Sequence, residues 1–257
     1  GRTQLSDAEF AVIRESDLSV LITPYLFVGL VIAVMFVVVR CTPMPHNQDR
    51  SHGIDFVPTL RRIFSIPRYR GGVVTQFFYV GAQIMCWTFV IQYGTRIFME
   101  QGMDEKTAEV LSQRYNIVAM ILFCMSRFIC TYLLKFFNPG KLLLVLAVAG
   151  GVFTAGVIGL RDIYGLYCLV AVSGCMSLMF PTIYGIALKG LGEDAKFGAA
   201  GLIMAILGGS VLPPLQASVI DCGTIWGWPA VNVSFILPLV CFVVISGYGY
   251  RALKARW

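Results

Sequence analysis

Seven runs of about twenty residues, almost free of charge, limit what this chain can become more than any other feature. They are Leu18–Val39, Val73–Thr95, Tyr115–Leu134, Leu142–Leu160, Tyr164–Leu188, Phe197–Ile220 and Val231–Tyr250. An apolar helix of about 20 residues crosses roughly 30 Å of hydrocarbon. Lipid offers no hydrogen bonds, so each backbone group must be paired within the protein. The runs are too long and too uniform for barrel strands, which alternate over about ten residues. Of the 257 residues, 57% are hydrophobic and 13% charged, where soluble domains carry about 25% charge. The chain therefore reads as an all-α integral membrane protein.

The loops suggest an orientation. Thirteen Lys and Arg fall on one side, in Arg40–Gly72, around Lys135 and Lys141, at Lys189 and Lys196, and after Tyr250. The other side has six, together with most of the acids. The positive-inside rule then places the N-terminus outside and the C-terminus in the cytosol. The +6 net charge is a topology signal, and no basic patch for nucleic acid is visible. The opening GRTQLSDAEFAVIRESD is polar, has no signal-peptide pattern and starts with Gly. We read the chain as a piece of a longer one.

The parse is one span, a long basic loop and six spans. It gives an outer segment with one helix over 1–39, a linker over 40–72 and a six-helix bundle over 73–257. In the linker, Phe56, Leu60 and Phe64 recur every four residues while Arg61 and Arg62 face elsewhere. That spacing predicts a short helix lying on the inner membrane surface, with an irregular linker as the alternative. The cysteines form no Cys-x-x-Cys pair, and His46 and His52 stand alone in one loop. We expect no metal, no cofactor and no disulfide; a buried Cys behaves as a small hydrophobe.

The second span carries amides where a bilayer tolerates few. At 100° per residue, Gln76, Tyr79, Gln83 and Trp87 fall within an arc of roughly 80°, with Gln92 off it. A buried amide without partners costs several kcal/mol. The stripe must face other helices or a wet cavity. As glue, each glutamine would add about 0.6–2 kcal/mol through interhelical bonds. As part of a solute path, amides and an aromatic face suit a neutral polyhydroxylated ligand.

None of the spans holds Asp or Glu, so the chain supplies no carboxylate for proton coupling. Arg127 is the one charge inside a span. It either snorkels to the interface or forms a gating ion pair with Glu193 or Asp194. The fifth span contains Ser173, Ser177, Pro181, Thr182 and Tyr184, and its proline breaks the helical ladder. Interrupted helices often mark transporter binding regions. In the sixth, Gly208, Gly209, Pro213 and Pro214 form a bend or hinge candidate. In the fourth, Gly150, Gly151 and Gly156 permit close helix packing.

The segments QFFYVGAQIMCWTFVIQY, SRFICTYLLKFFNPGKLL, FPTIYGIALKGLGEDAKFGAAGLIM and ILGGSVLPP resemble, in order, the C-terminal half of transporters in the fucose–galactose–glucose branch of the major facilitator superfamily. The resemblance runs from about Arg62 to Tyr250. It implies helix six followed by helices seven to twelve, with the first half of the protein missing. It also implies a sugar/proton symporter working by alternating access, with L-fucose as the expected sugar and a bacterial inner membrane as the setting. Helices seven and ten would line the central cavity. That would put Gln76, Tyr79, Gln83 and Trp87 against the sugar, with Ser177, Thr182 and Tyr184 as weaker candidates. Arg127 would steady the inner gate. The coupling carboxylates would lie in the missing half. Ser126 stands where the family has Gly, which bears on helix packing near Arg127.

A glucose/galactose carrier of the same branch and a non-transporting sugar sensor are the alternatives. An enzyme is disfavoured: the spans show no metal cluster, no acid/base pair and no phosphate-cradling loop.

Overall fold

The computed structural model describes residues 7–41, 56–225 and 227–254. Linker residues 42–55, with His46 and His52, lie outside the described residues. The chain divides into two compact units, Gly1–Gly53 and Ile54–Trp257. The first contains one long helix, α1 (Asp7–Cys41), which includes the first expected span. Its apolar side chains from Tyr25 to Val38 are largely exposed.

The second unit is a helical bundle. Its elements are α2 (Phe56–Ser65), α3 (Pro67–Glu100), α4 (Glu105–Leu133), α5 (Pro139–Gly159), α6 (Ile163–Met176), α7 (Met179–Leu188), α8 (Ala195–Met204), α9 (Gly208–Ile220), α10 (Ala230–Ser234) and α11 (Ile236–Lys254). A two-stranded hairpin, β1 (Thr224–Ile225) with β2 (Trp228–Pro229), joins α9 to α10. Among the described residues six segments are long and apolar enough to span a membrane. They are α3, α4, α5, α6 with α7, α8 with α9, and α10 with α11. The protein is integral to the membrane.

α3 runs through the middle and packs on α4, α6, α7, α9 and α11. It starts at Pro67 rather than Val73, because proline at the first helical position needs no hydrogen bond and has its φ already set. Tyr79, Met85 and Tyr93 are fully buried along it. The core continues through Leu166, Met176, Phe235 and Phe242. Gly150 lets Phe242 lie against α5; a Cβ there would come within 2.8 Å of the ring. The last carbonyls of a helix have no partner within it. At the end of α5, Tyr93 and Asn232 both donate to the Val157 and Leu160 carbonyls, at 2.8–3.2 Å.

The fifth and sixth spans are each interrupted. α6 ends at Met176 and α7 starts at Met179. Pro181 explains the break: it has no N–H for the Ser177 carbonyl, and its ring crowds that oxygen. Two carbonyls at the break are taken up sideways. Ser126 of α4 donates to Gly174 O at 2.8 Å and Tyr79 of α3 to Met176 O at 2.9 Å. In the sixth span a 3-10 turn, Ala205–Leu207, separates α8 from α9. α9 stays helical through Pro213 and Pro214. The irregular turn therefore precedes Gly208 and Gly209. Gly208 permits a close approach, since a Cβ there would collide with the Phe77 carbonyl.

α2 forms within the linker, as expected, but its tightest contact is with the bundle. Ile63 is 1% exposed, in a cluster with Tyr69, Ala187, Leu191 and Leu202. Leu60 and Phe64 keep 40% and 38% of their surface. The Phe56 side chain lies outside the described residues.

Candidate functional site

The stripe on α3 is built as the helical spacing requires, but its members differ in surroundings. Gln76 is fully buried, and neither its amide nitrogen nor its oxygen has a partner among the described residues. Gln83 is half-buried and makes no hydrogen bond there either. The Trp87 ring is half-buried with its Nε1 enclosed and unpartnered. Neither glutamine acts as interhelical glue within the described bundle.

Tyr79 does act as glue. It is fully buried, and its hydroxyl is used on Met176 O. The expectation that Tyr79 faces a ligand is corrected to a packing role, since its polar atom has a protein partner. Ser177 is corrected likewise. It is fully buried and donates to Ser126 Oγ at 3.1 Å, which passes the chain of hydroxyls on to Gly174 O. The departure at Ser126 thus creates an interhelical bond a glycine could not make.

Two aromatic ladders flank the stripe. Trp87 meets Phe123 of α4 edge-on, with centroids 5.0 Å apart. The Arg127 guanidinium lies 5.9 Å from the Phe123 ring centre, within reach of a cation–π contact. Tyr79 meets Phe180 of α7 at 6.2 Å, and Phe180 stacks on Tyr184 at 6.4 Å. Phe123 was not among the sequence candidates. Its place four residues before Arg127 was the signal, since positions i and i+4 share a helix face.

The expected pair between Arg127 and Asp194 is not formed. Asp194 accepts two hydrogen bonds from Arg62 of α2, at 2.8 and 2.6 Å. This partner holds the Arg62 guanidinium above its usual pKa. Glu193 lies in the turn Gly192–Asp194, and its side chain is outside the described residues. Thr182 bonds its own helix at Leu178 O, 2.8 Å away, and lines a separate cavity at the end of the bundle where α3 begins. At the opposite end, Gln92 lines an open cleft with Thr95, Arg96 and Glu100. Among the described residues no cluster of His, Cys, Asp and Glu could hold a metal.

No family model matches the chain. It is 47% identical over 251 residues to the L-fucose-proton symporter of Haemophilus influenzae, covering 97% of this chain and 57% of that protein. Identity to the L-fucose-proton symporter of Escherichia coli is 28% over 252 residues, covering 94% of this chain and 54% of that protein. The glucose/galactose transporter of Brucella abortus is 24% identical over 235 residues, covering 90% of this chain and 53% of that protein. The crystal structure of the E. coli fucose:proton symporter FucP superposes with a TM-score of 0.79 at 27% identity, over 97% of this chain and 59% of that one. A second structure of FucP, a major facilitator superfamily transporter in the outward conformation, gives 0.78. These relatives are transporters, and the chain spans about half their length. The chain has the fold of the major facilitator superfamily and resembles its fucose-proton symporters over about half of their length.

Proposed function

We propose that these residues form one wall of the solute path of a sugar–proton symporter, with L-fucose as the sugar. The carrying observation is the α3 face where Gln76, Gln83 and Trp87 hold polar groups without protein partners. Such groups are costly in hydrocarbon. Gln83 and the Trp87 ring are half-buried and open to a ligand with hydroxyls and a C–H face, while the Gln76 amide lies enclosed behind them. The 47% identity to a relative named for L-fucose and protons supports the choice of sugar.

In this reading Gln83 and Trp87 contact the sugar. Gln76 backs Gln83 from two turns away on the same face, Tyr184 on its aromatic ladder is a secondary contact, and Arg127 steadies α4 beside Phe123. The expected spans hold no acidic residue, so the coupling carboxylate belongs to the half of the protein these residues do not cover. The N-terminus lies outside, the basic loops face the cytosol, and the setting is a bacterial inner membrane.

Cells carrying the complete gene are tested for external alkalinisation on adding L-fucose, D-glucose or D-galactose. Alkalinisation with L-fucose alone is expected. A response only to glucose or galactose moves the substrate to the second reading, which the Brucella relative favours. Silence with all three, in protein shown to be at the membrane, overturns symport of these sugars.

A further inference from the structure

A cavity of about 390 Å³ lies where α3 begins and α11 ends, apart from the glutamine stripe. Arg68, Asn138, Thr182, Gly185, Lys189 and Leu253 line it. Its two basic residues come from different elements, the first turn of α3 and the end of α7. None of the described residues lining it is acidic.

The backbone places these charges together. The Arg68 carbonyl accepts a hydrogen bond from the Tyr248 hydroxyl at 3.2 Å. The chain turns after Lys189 at Gly190, whose φ of +83° favours glycine. A Cβ there would stand 2.9 Å from the Arg68 guanidinium. The turn needs glycine for its backbone, and the same residue leaves room for the guanidinium beside it. Gly185, one turn before Lys189 on the same face of α7, leaves space beside it, with nothing within 4 Å of where its Cβ would be.

We propose that this cavity binds a phosphate ester on a short carbon skeleton, with Arg68 and Lys189 as its charge partners. The guanidinium fork matches two phosphate oxygens and the lysine adds a point charge. Asn138, whose Oδ1 caps Gly140 N, still offers its amide N–H, and Thr182, whose hydroxyl donates to Leu178 O, still offers an accepting oxygen to the hydroxyls of the skeleton; Leu253 covers its carbons. The volume suits a headgroup with a few carbons and excludes a whole lipid. The ester is either the headgroup of an anionic phospholipid or a free metabolite of the same chemistry. The site does not depend on the sugar reading.

The test is native mass spectrometry of the purified protein from nanodiscs containing phosphatidylglycerol and phosphatidylcholine in equal amounts. It is repeated with glycerol phosphate added. Wild type is expected to retain phosphatidylglycerol, or glycerol phosphate, by about tenfold over phosphatidylcholine. The variant Arg68→Gln/Lys189→Gln is expected to lose that preference, and Lys141→Gln to keep it. Gly185→Leu fills the cavity from a helical position with open space, and should abolish binding with the charges intact. It carries the test if the double variant fails to fold. Displacement of the lipid by glycerol phosphate identifies a free ester as sufficient; retention against it identifies the lipid. Equal retention of both lipids with no ester bound, or a preference that survives Gly185→Leu, overturns the proposal.

Discussion

Arg62 clamps Asp194 through two parallel hydrogen bonds of 2.8 and 2.6 Å, tying the linker helix α2 to the turn between α7 and α8. The guanidinium is exposed, and exposed pairs add little stability. Asp194→Asn is expected to leave the melting temperature within about 2 °C. The raised Arg62 pKa makes its contribution complete at every pH below the unfolded value, and lost only as pH rises through the folded one. Both lie far above neutrality. The melting difference between wild type and variant, as far as Arg62 sets it, should be flat from about pH 6 to 9.

Ile63 does what the ion pair does not. It is 1% exposed among Tyr69, Leu191 and Leu202. Ile63→Asp should detach α2, at a cost of about 2–4 kcal/mol to its docking. Hydrogen exchange of the α2 amides reads this directly: protection falls in Ile63→Asp and is nearly kept in Asp194→Asn.

Gln76 separates a ligand wall from structural glue. Its amide is buried with both polar atoms unpartnered among the described residues. Gln76→Leu should raise stability by about 1–2 kcal/mol while lowering sugar transport in the complete protein. A loss of stability would restore the glue reading. Gln83→Ala should raise the KM for sugar by about tenfold, the loss of one or two hydrogen bonds.

Ser126→Gly removes the bond to Gly174 O and the partner of Ser177. The expected loss is about 0.6–2 kcal/mol, read by thermal unfolding, with sugar selectivity unchanged.

Gly208→Val should be among the most damaging changes to a surface-distant glycine. Its Cβ meets the Phe77 carbonyl, which cannot move without bending α3. A loss of about 2 kcal/mol or more follows from overpacking. Gly247→Ala, with nothing within 4 Å of its Cβ, serves as the neutral control.

The span pattern was legible because lipid removes every alternative to a helix for a long apolar run. The break in the fifth span was legible too, because Pro181 acts on its own helix. The partners of Tyr79 and Ser177 were not legible, for the opposite reason. Periodicity gives the direction of a side chain, while its partner is set by a helix remote in sequence. Met176 O and Ser126 are such partners. Asp194 shows the same limit: the sequence offered it as a partner of Arg127, while the docking of Ile63 brings Arg62 to it instead.

The gap between α6 and α7 looks like a weak point, yet its upper rim is fastened from two sides. Ser126 of α4 and Tyr79 of α3 hold carbonyls that the broken ladder released. The upper limb is therefore locked to its neighbours as one rigid block. The other limb starts at Met179 and buries Met179 and Ile183 in the core, with Phe180 against Tyr79. The break is thus bridged rather than loose: α3 holds the end of α6 through the Tyr79 hydroxyl and the start of α7 through the Tyr79 ring against Phe180, so one side chain spans both limbs.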